Sequence, residues 1–213
     1  PQVSLLYMLA RTSDTIADSE QGDASDLLLA LESYNDFSQG KTSSLLDISS
    51  LAESQRNKSE ASLLRNVGKI VSKIADFSES DQKAIRHCLG TIIGGQILDL
   101  QRFSSDEGTI LSLESDEELD DYAYRVAGSV GEFWTRMSLD HIFKLKEENL
   151  EVELFEKGIR FGKALQMINI LRDIPADLSL GRCYIPRSKL EGYGITPADL
   201  LEPSRMDTFR PLY

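Results

Sequence analysis

Cysteine and histidine are scarce in this 213-residue chain, with two of each. Cys88 and Cys183 lie far apart and match neither a disulfide framework nor the clustered spacing of a zinc site, so a reducing, cytoplasmic setting is expected. Proline is also sparse, at 6 against 14 glycines, and the frequent turn signals of an all-β chain are missing. Basic residues are too few to balance the acids, 23 against 35, which leaves a net charge of −12. Such a surface repels nucleic-acid phosphates and anionic membranes, and nucleic acid is not an expected partner. No run approaches the roughly 18 apolar residues of a membrane span, and no signal peptide opens the chain. The first residue is Pro1, set directly against the apolar pattern Val3, Leu5, Leu6 and Leu9, which reads as a fragment.

What remains is helical. The length allows one sizeable domain, and the apolar periodicity predicts helices over 3–18, 26–34 and 59–76, with a short one over 45–52. Polar loops are expected over 19–25, 35–44 and 104–115. Ser80 is read as the N-cap of a long helix over 81–103, in which Gly90, Gly94 and Gly95 would permit close helix packing. A helix over 116–136 opens on five acids, and another over 151–174 meets Pro175, where the pattern could continue with a kink. Beyond Gly181 the pattern becomes irregular, and no strand is expected. The predicted architecture is all-α, a single helical bundle spanning 1–213.

Two polar stripes carry the chemistry. In YMLARTSDTIAD, helical geometry puts Tyr7, Arg11, Asp14 and Asp18 at about 0°, 40°, 340° and 20°, on one side of an otherwise apolar helix. In GKALQMINILRDIPAD, Gln166, Asn169, Asp173 and Asp177 fall at about 0°, 300°, 340° and 20°. A lone Asp pair at this spacing is usually a solvated face. Here the apolar flanks make the acids expensive to bury without partners, so each stripe should face a cavity. Carboxylate pairs at i and i+4 on two helices are how a bundle holds hard cations, and magnesium is the natural choice, since it takes oxygen ligands and leaves sites for substrate phosphate. Zinc would want His or Cys, and His87, Cys88, His141 and Cys183 lie outside the stripes. Arg11 and Arg172 could clamp diphosphate oxygens or simply pair with a neighbouring Asp.

These residues resemble the squalene and phytoene synthases, which join two prenyl diphosphates head to head. YMLARTSDTIAD is similar to the first aspartate-rich motif of that family, DYAYRVAGSVGEFW to its YCxxVAGxVG block, and LQMINILRDIPADLSLGRCYIP to its second aspartate-rich motif. The resemblance implies an all-α isoprenoid synthase bundle with a central cavity, incomplete here at both ends. It implies magnesium held by Asp14 and Asp18 on one side and by Asn169, Asp173 and Asp177 on the other. It assigns substrate diphosphates to Tyr7, Arg11, Gln166 and Arg172. Tyr122, which on packing grounds alone is an ordinary core aromatic, would stand near the reacting carbons. Gln96 and Asp99 match a polar patch near the pocket. Farnesyl or geranylgeranyl diphosphate would pass through a cyclopropyl diphosphate to squalene, dehydrosqualene or phytoene, with NADPH needed only for squalene. Peripheral contact with a membrane would help release such a hydrocarbon, although no anchor is visible. The alternatives are a head-to-tail prenyltransferase or terpene cyclase of the same architecture, for which DTIAD and DIPAD are poor matches to DDxxD, and a non-catalytic assembly protein that keeps the fold.

Overall fold

A computed structural model describes residues 1–19, 22–104, 109–145 and 149–211, so parts of the expected loops over 19–25 and 104–115 lie outside the described residues. Helices dominate. Long helices α1 (Gln2–Ala17), α2 (Ala24–Gln39), α6 (Glu79–Arg102), α8 (Ser129–His141) and α9 (Asn149–Ser179) make the frame. Short helices α3 (Ser49–Ser54), α4 (Lys58–Arg65), α5 (Val67–Ser72), α7 (Asp116–Ala123), α10 (Arg187–Gly192) and α11 (Met206–Phe209) fill the connections.

The main core lies where α1, α2 and α6 meet. Leu9, Ile16, Leu31, Ile85, Leu89 and Ile93 are fully buried there, each contributing roughly 1.5–3 kcal/mol of transfer free energy. The Tyr34 hydroxyl donates to the Leu9 carbonyl at 2.9 Å and fastens α2 to α1. A second tie joins three helix ends. Asp81, buried in the first turn of α6, accepts from the Gln2 amide at 3.0 Å and meets His141 Nε2 at 2.8 Å. Burial pushes the Asp81 carboxyl up, but its bonds to Gln2, His141 and Ser78 outweigh that and hold it below the ordinary range.

Several boundaries differ from the sequence expectation. α2 runs on through the predicted loop to Gln39 and stops at Gly40, whose φ of 74° gives the left-handed turn that closes a helix. The short helix expected over 45–52 starts later, at Ser49. The predicted 59–76 helix is three pieces, α4, α5 and the 3-10 turn Lys73–Asp76, parted at Asn66, whose side-chain amide donates to the Ser62 carbonyl at 2.8 Å. Ser78, not Ser80, caps α6, because its hydroxyl is the one that accepts the Asp81 N–H at 3.2 Å. The expected 116–136 helix is interrupted by a π-helical turn over Tyr124–Gly128. α9 continues through Pro175 to Ser179.

Two close approaches shape the walls. A Cβ on Gly95 would lie 3.0 Å from Arg125 Cβ, as the expected crowding along α6 requires. The tightest crossing is between α8 and α9, where a Cβ on Gly131 would meet the Gly158 carbonyl oxygen at 2.0 Å. There is also a short strand pair that the sequence did not suggest. Leu111–Ser112 (β1) pairs in parallel with Arg182–Cys183 (β2), and flanking bonds from Leu113 N–H to the Cys183 carbonyl and from Arg187 N–H to the Leu113 carbonyl extend the latch.

Candidate active site

α1, α6, the π turn and α9 enclose a cavity of about 480 Å³. Asp14 and Asp18 line it from α1, Gln96 and Asp99 from α6, and Gln166, Asn169, Arg172, Asp173 and Asp177 from α9. The two carboxylate pairs therefore share one cavity. Asp177 keeps its place beside Asp173 because the helix does not end at Pro175. Tyr122, Tyr184 and Arg182 complete the polar wall. Tyr7 and Arg11 stand apart. Tyr7 is 69% exposed and borders an apolar groove along α1, and the Arg11 guanidinium forms an ion pair with Glu60 of α4, with Asp14 at a looser 3.9 Å.

The electrostatics are those of uncompensated acid. Burial, followed by the charge of Asp18, pushes Asp14 up to about 6, against the pull of Arg11 and of the Gln96 amide, which donates to it at 2.6 Å. Burial likewise raises Asp18, opposed by Arg182 and Arg11. Asp177 rises to about 6 through burial and then through Asp173. Asp99 also reaches about 6 because burial outweighs its bond from Tyr184 and the nearby Arg182 and Arg102. Asp173 differs. Arg172 grips it with two bonds, at 2.7 and 2.6 Å, and holds it below the ordinary range.

Among the described residues, no three His, Cys, Asp or Glu side chains converge to make a metal site by themselves. The donor set nonetheless fits magnesium. It is carboxylate and carboxamide oxygen, it carries excess negative charge, and Gln96 Oε1 is buried at the cavity wall without a hydrogen-bond partner. Magnesium needs only one or two carboxylates when substrate phosphates supply further oxygens.

Two apolar grooves open from the polar cavity. One, of about 710 Å³, runs between α8 and α9 past Trp134, Phe161 and Leu165, and shares Val126, Val130, Gln166 and Asn169 with the cavity. The other, of about 530 Å³, follows α1 past Val3, Leu6 and Tyr7, and shares Ala10, Ile92 and Val130. Val130 borders all three spaces.

The squalene/phytoene synthase family model matches residues 1–213. The chain belongs to the squalene/phytoene synthase family. Its relatives are synthases of the prenyltransferase type. It is 30% identical to the presqualene diphosphate synthase of Zymomonas mobilis over 195 residues, covering 92% of this chain and 54% of that protein. It is 36% identical over 100 residues to a bifunctional lycopene cyclase/phytoene synthase of Gibberella fujikuroi, covering 47% of this chain and 17% of the relative. The chain thus spans about half or less of the length of these relatives. Its all-α fold is that of squalene synthase: the structure of TcSQS with the ligand E5700 superposes with a TM-score of 0.73 at 19% identity, covering 97% of this chain and 56% of the other. No helix among the described residues is long and apolar enough to cross a membrane.

Three residues of the site were not singled out from the sequence. Arg182 and Tyr184 sit in an extended segment, where residues two apart share a face. The alternation Arg182, Cys183, Tyr184, Ile185 was the available signal. Cys183 and Ile185 enter a small apolar cluster with Leu178 and Leu190 while Arg182 and Tyr184 line the cavity. Glu60 gave no such signal, since its link to Arg11 depends on how α4 folds back on α1.

Proposed function

We propose that the enzyme containing this chain joins two prenyl diphosphates, farnesyl or geranylgeranyl, head to head through a cyclopropyl diphosphate. The observation that carries this reading is that both carboxylate pairs line one cavity, which shares wall residues with two apolar grooves. Diphosphate groups need cations and donors, prenyl chains need dry apolar walls, and the two meet at Val130. Family membership supports the same reaction class.

In this proposal Asp14 and Asp18, with Asn169, Asp173 and Asp177, hold magnesium from opposite walls. Bound there, magnesium would supply Lewis-acid charge to the diphosphate oxygens. Arg172 and Gln166 orient diphosphate oxygens, with Arg11 and Tyr7 joining from the α1 side once Arg11 leaves Glu60. Arg182 takes up further anionic charge. Ionisation breaks the carbon–oxygen bond of one substrate, and the double bond of the second attacks the resulting allylic cation. Loss of a proton closes the cyclopropane. The Tyr122 ring faces that chemistry, and Val126, Val130 and Ile170 keep water from the cation. A second ionisation rearranges the carbon skeleton, with hydride from NADPH required only if squalene is the product.

Incubating the full-length enzyme with labelled farnesyl or geranylgeranyl diphosphate and magnesium, with and without NADPH, tests the reading. The expected result is a magnesium-dependent cyclopropyl diphosphate or coupled hydrocarbon. Only head-to-tail products, or none, would reject it.

A further inference from the structure

Tyr122 is held by a network of side chains from α6, α9 and the segment that follows β2. Its ring stacks on that of Tyr184, with centroids 4.4 Å apart and planes 21° from parallel. Phe103 meets the other ring of the pair edge-on at 5.3 Å. The Tyr184 hydroxyl donates to Asp99 Oδ2 at 2.7 Å, while the Gln166 amide reaches the Tyr122 hydroxyl at 3.4 Å. All three of Tyr122, Tyr184 and Asp99 are buried, at 8, 7 and 7% exposure. The backbone beneath Tyr184 is fixed as well, because β2 is latched to β1 and flanked by the Leu113 and Arg187 bonds.

We propose that Tyr184, anchored by Asp99, is the positioning residue that sets the ring and hydroxyl of Tyr122 at the boundary between the acidic cavity and its apolar arms. The inference rests on the head-to-head reading only for its catalytic consequence. A buried hydroxyl on a carboxylate is a strong, directional bond, and a stacked ring so anchored leaves its neighbour little freedom to rotate. Burying Asp99 carries a desolvation cost, and most of the α6 face could have been apolar at that position. Keeping an acid there makes sense if it fixes Tyr184. Tyr184 thereby links the two strands of the latch to the reacting centre, so the short β1–β2 pair becomes part of the site.

The test places 3-fluorotyrosine at position 122 in the full-length enzyme and compares Tyr184→Phe, Asp99→Leu and Asp99→Asn. Tyr184→Phe keeps the ring and removes the anchor, so the fluorine resonance should shift and broaden. Asp99→Leu should do the same. Asp99→Asn retains an acceptor oxygen and should restore the wild-type signal. With labelled prenyl diphosphate, Tyr184→Phe should lower kcat by about ten- to a hundredfold with KM unchanged, and should divert ionised substrate to the water-quenched prenyl alcohol. A fluorine signal unmoved by Tyr184→Phe and Asp99→Leu overturns the inference, as does an unchanged kcat and alcohol fraction in an enzyme that couples. If the wild-type enzyme makes no coupled product, the head-to-head reading fails and the fluorine signal alone decides the positioning role.

Discussion

Asp14 on α1 and Asp173 on α9 open two carboxylate pairs of identical spacing, yet they sit in opposite fields. Asp14 receives a neutral amide from Gln96 and is pushed up to about 6. Asp173 is clasped by the guanidinium next to it in sequence and held below the ordinary range. Arg11 of α1 is drawn off to Glu60, whereas Arg172 of α9 stays with its neighbouring acid. Spacing alone therefore does not define a metal site. The α1 wall is short of cations, and the α9 wall carries an internal one, Arg172, which under the proposed function must be displaced or shared for metal and diphosphate to bind.

The largest effect should come from removing the unneutralised acids. Asp14→Asn and Asp177→Asn are each expected to lower kcat/KM for the prenyl diphosphate by about 10²–10³, in line with the loss of one preorganised electrostatic group. Steady-state kinetics with product identification checks this. Losses no larger than that from Asp173→Asn, the acid already paired with Arg172, would break the contrast.

Next in size is a structural change that leaves the charges alone. Gly131→Ala forces a methyl into the Gly158 carbonyl at the α8–α9 crossing. Overpacking of this kind costs about 1–3 kcal/mol, and a thermal melt should show Tm lower by roughly 2–12 °C for a domain of this size. Activity of the folded fraction at low temperature should then report how far α9 has been pushed from α1.

Asp14, Asp99 and Asp177 all have folded pKa values raised to about 6, above the 3.8 of an ordinary Asp. Their contribution to stability is fully present below the ordinary value and is lost as pH rises through about 6. The metal-free protein should lose that part of its stability between about pH 4 and pH 6. Under the proposed function magnesium would compete with the protons on Asp14 and Asp177, so the gain in Tm on adding it should be large at pH 7.5 and small at pH 5. Melts across that range, with and without magnesium, follow both trends.

The smallest expected effects concern the two arginines. Arg172→Gln should free Asp173 and tighten magnesium in the absence of substrate, while weakening diphosphate binding. Glu60→Gln should free Arg11 and improve binding of prenyl diphosphate by no more than about fivefold, as fits a partly exposed pair. Calorimetric titrations of each ligand distinguish the two.

Much of this site was legible because helices repeat. Asp14, Asp18, Asn169, Asp173 and Asp177 fall on stripes that a turn of 100° per residue predicts, and all five line one cavity. Helical phase also explains why Tyr7 and Arg11 were grouped with them, yet it says nothing of distance along the axis. Tyr7 is two turns below Asp14 and borders a groove instead. The π turn at Tyr124–Gly128, the break at Asn66 and the β1–β2 latch depend on contacts between distant segments. Local periodicity is silent on such contacts. Arg182 and Tyr184 do show a local alternation, but which space that face meets depends on the pairing of their segment with residues 111–113.

The central claim is that the α1 and α9 acids bind metal and diphosphate as one unit, and calorimetric titration of inorganic pyrophosphate into the full-length enzyme tests it most directly. Pyrophosphate should bind in the presence of magnesium and not in its absence, and either Asp14→Asn or Asp177→Asn should abolish most of that binding. Magnesium-independent binding, or binding that survives both substitutions, would contradict the account.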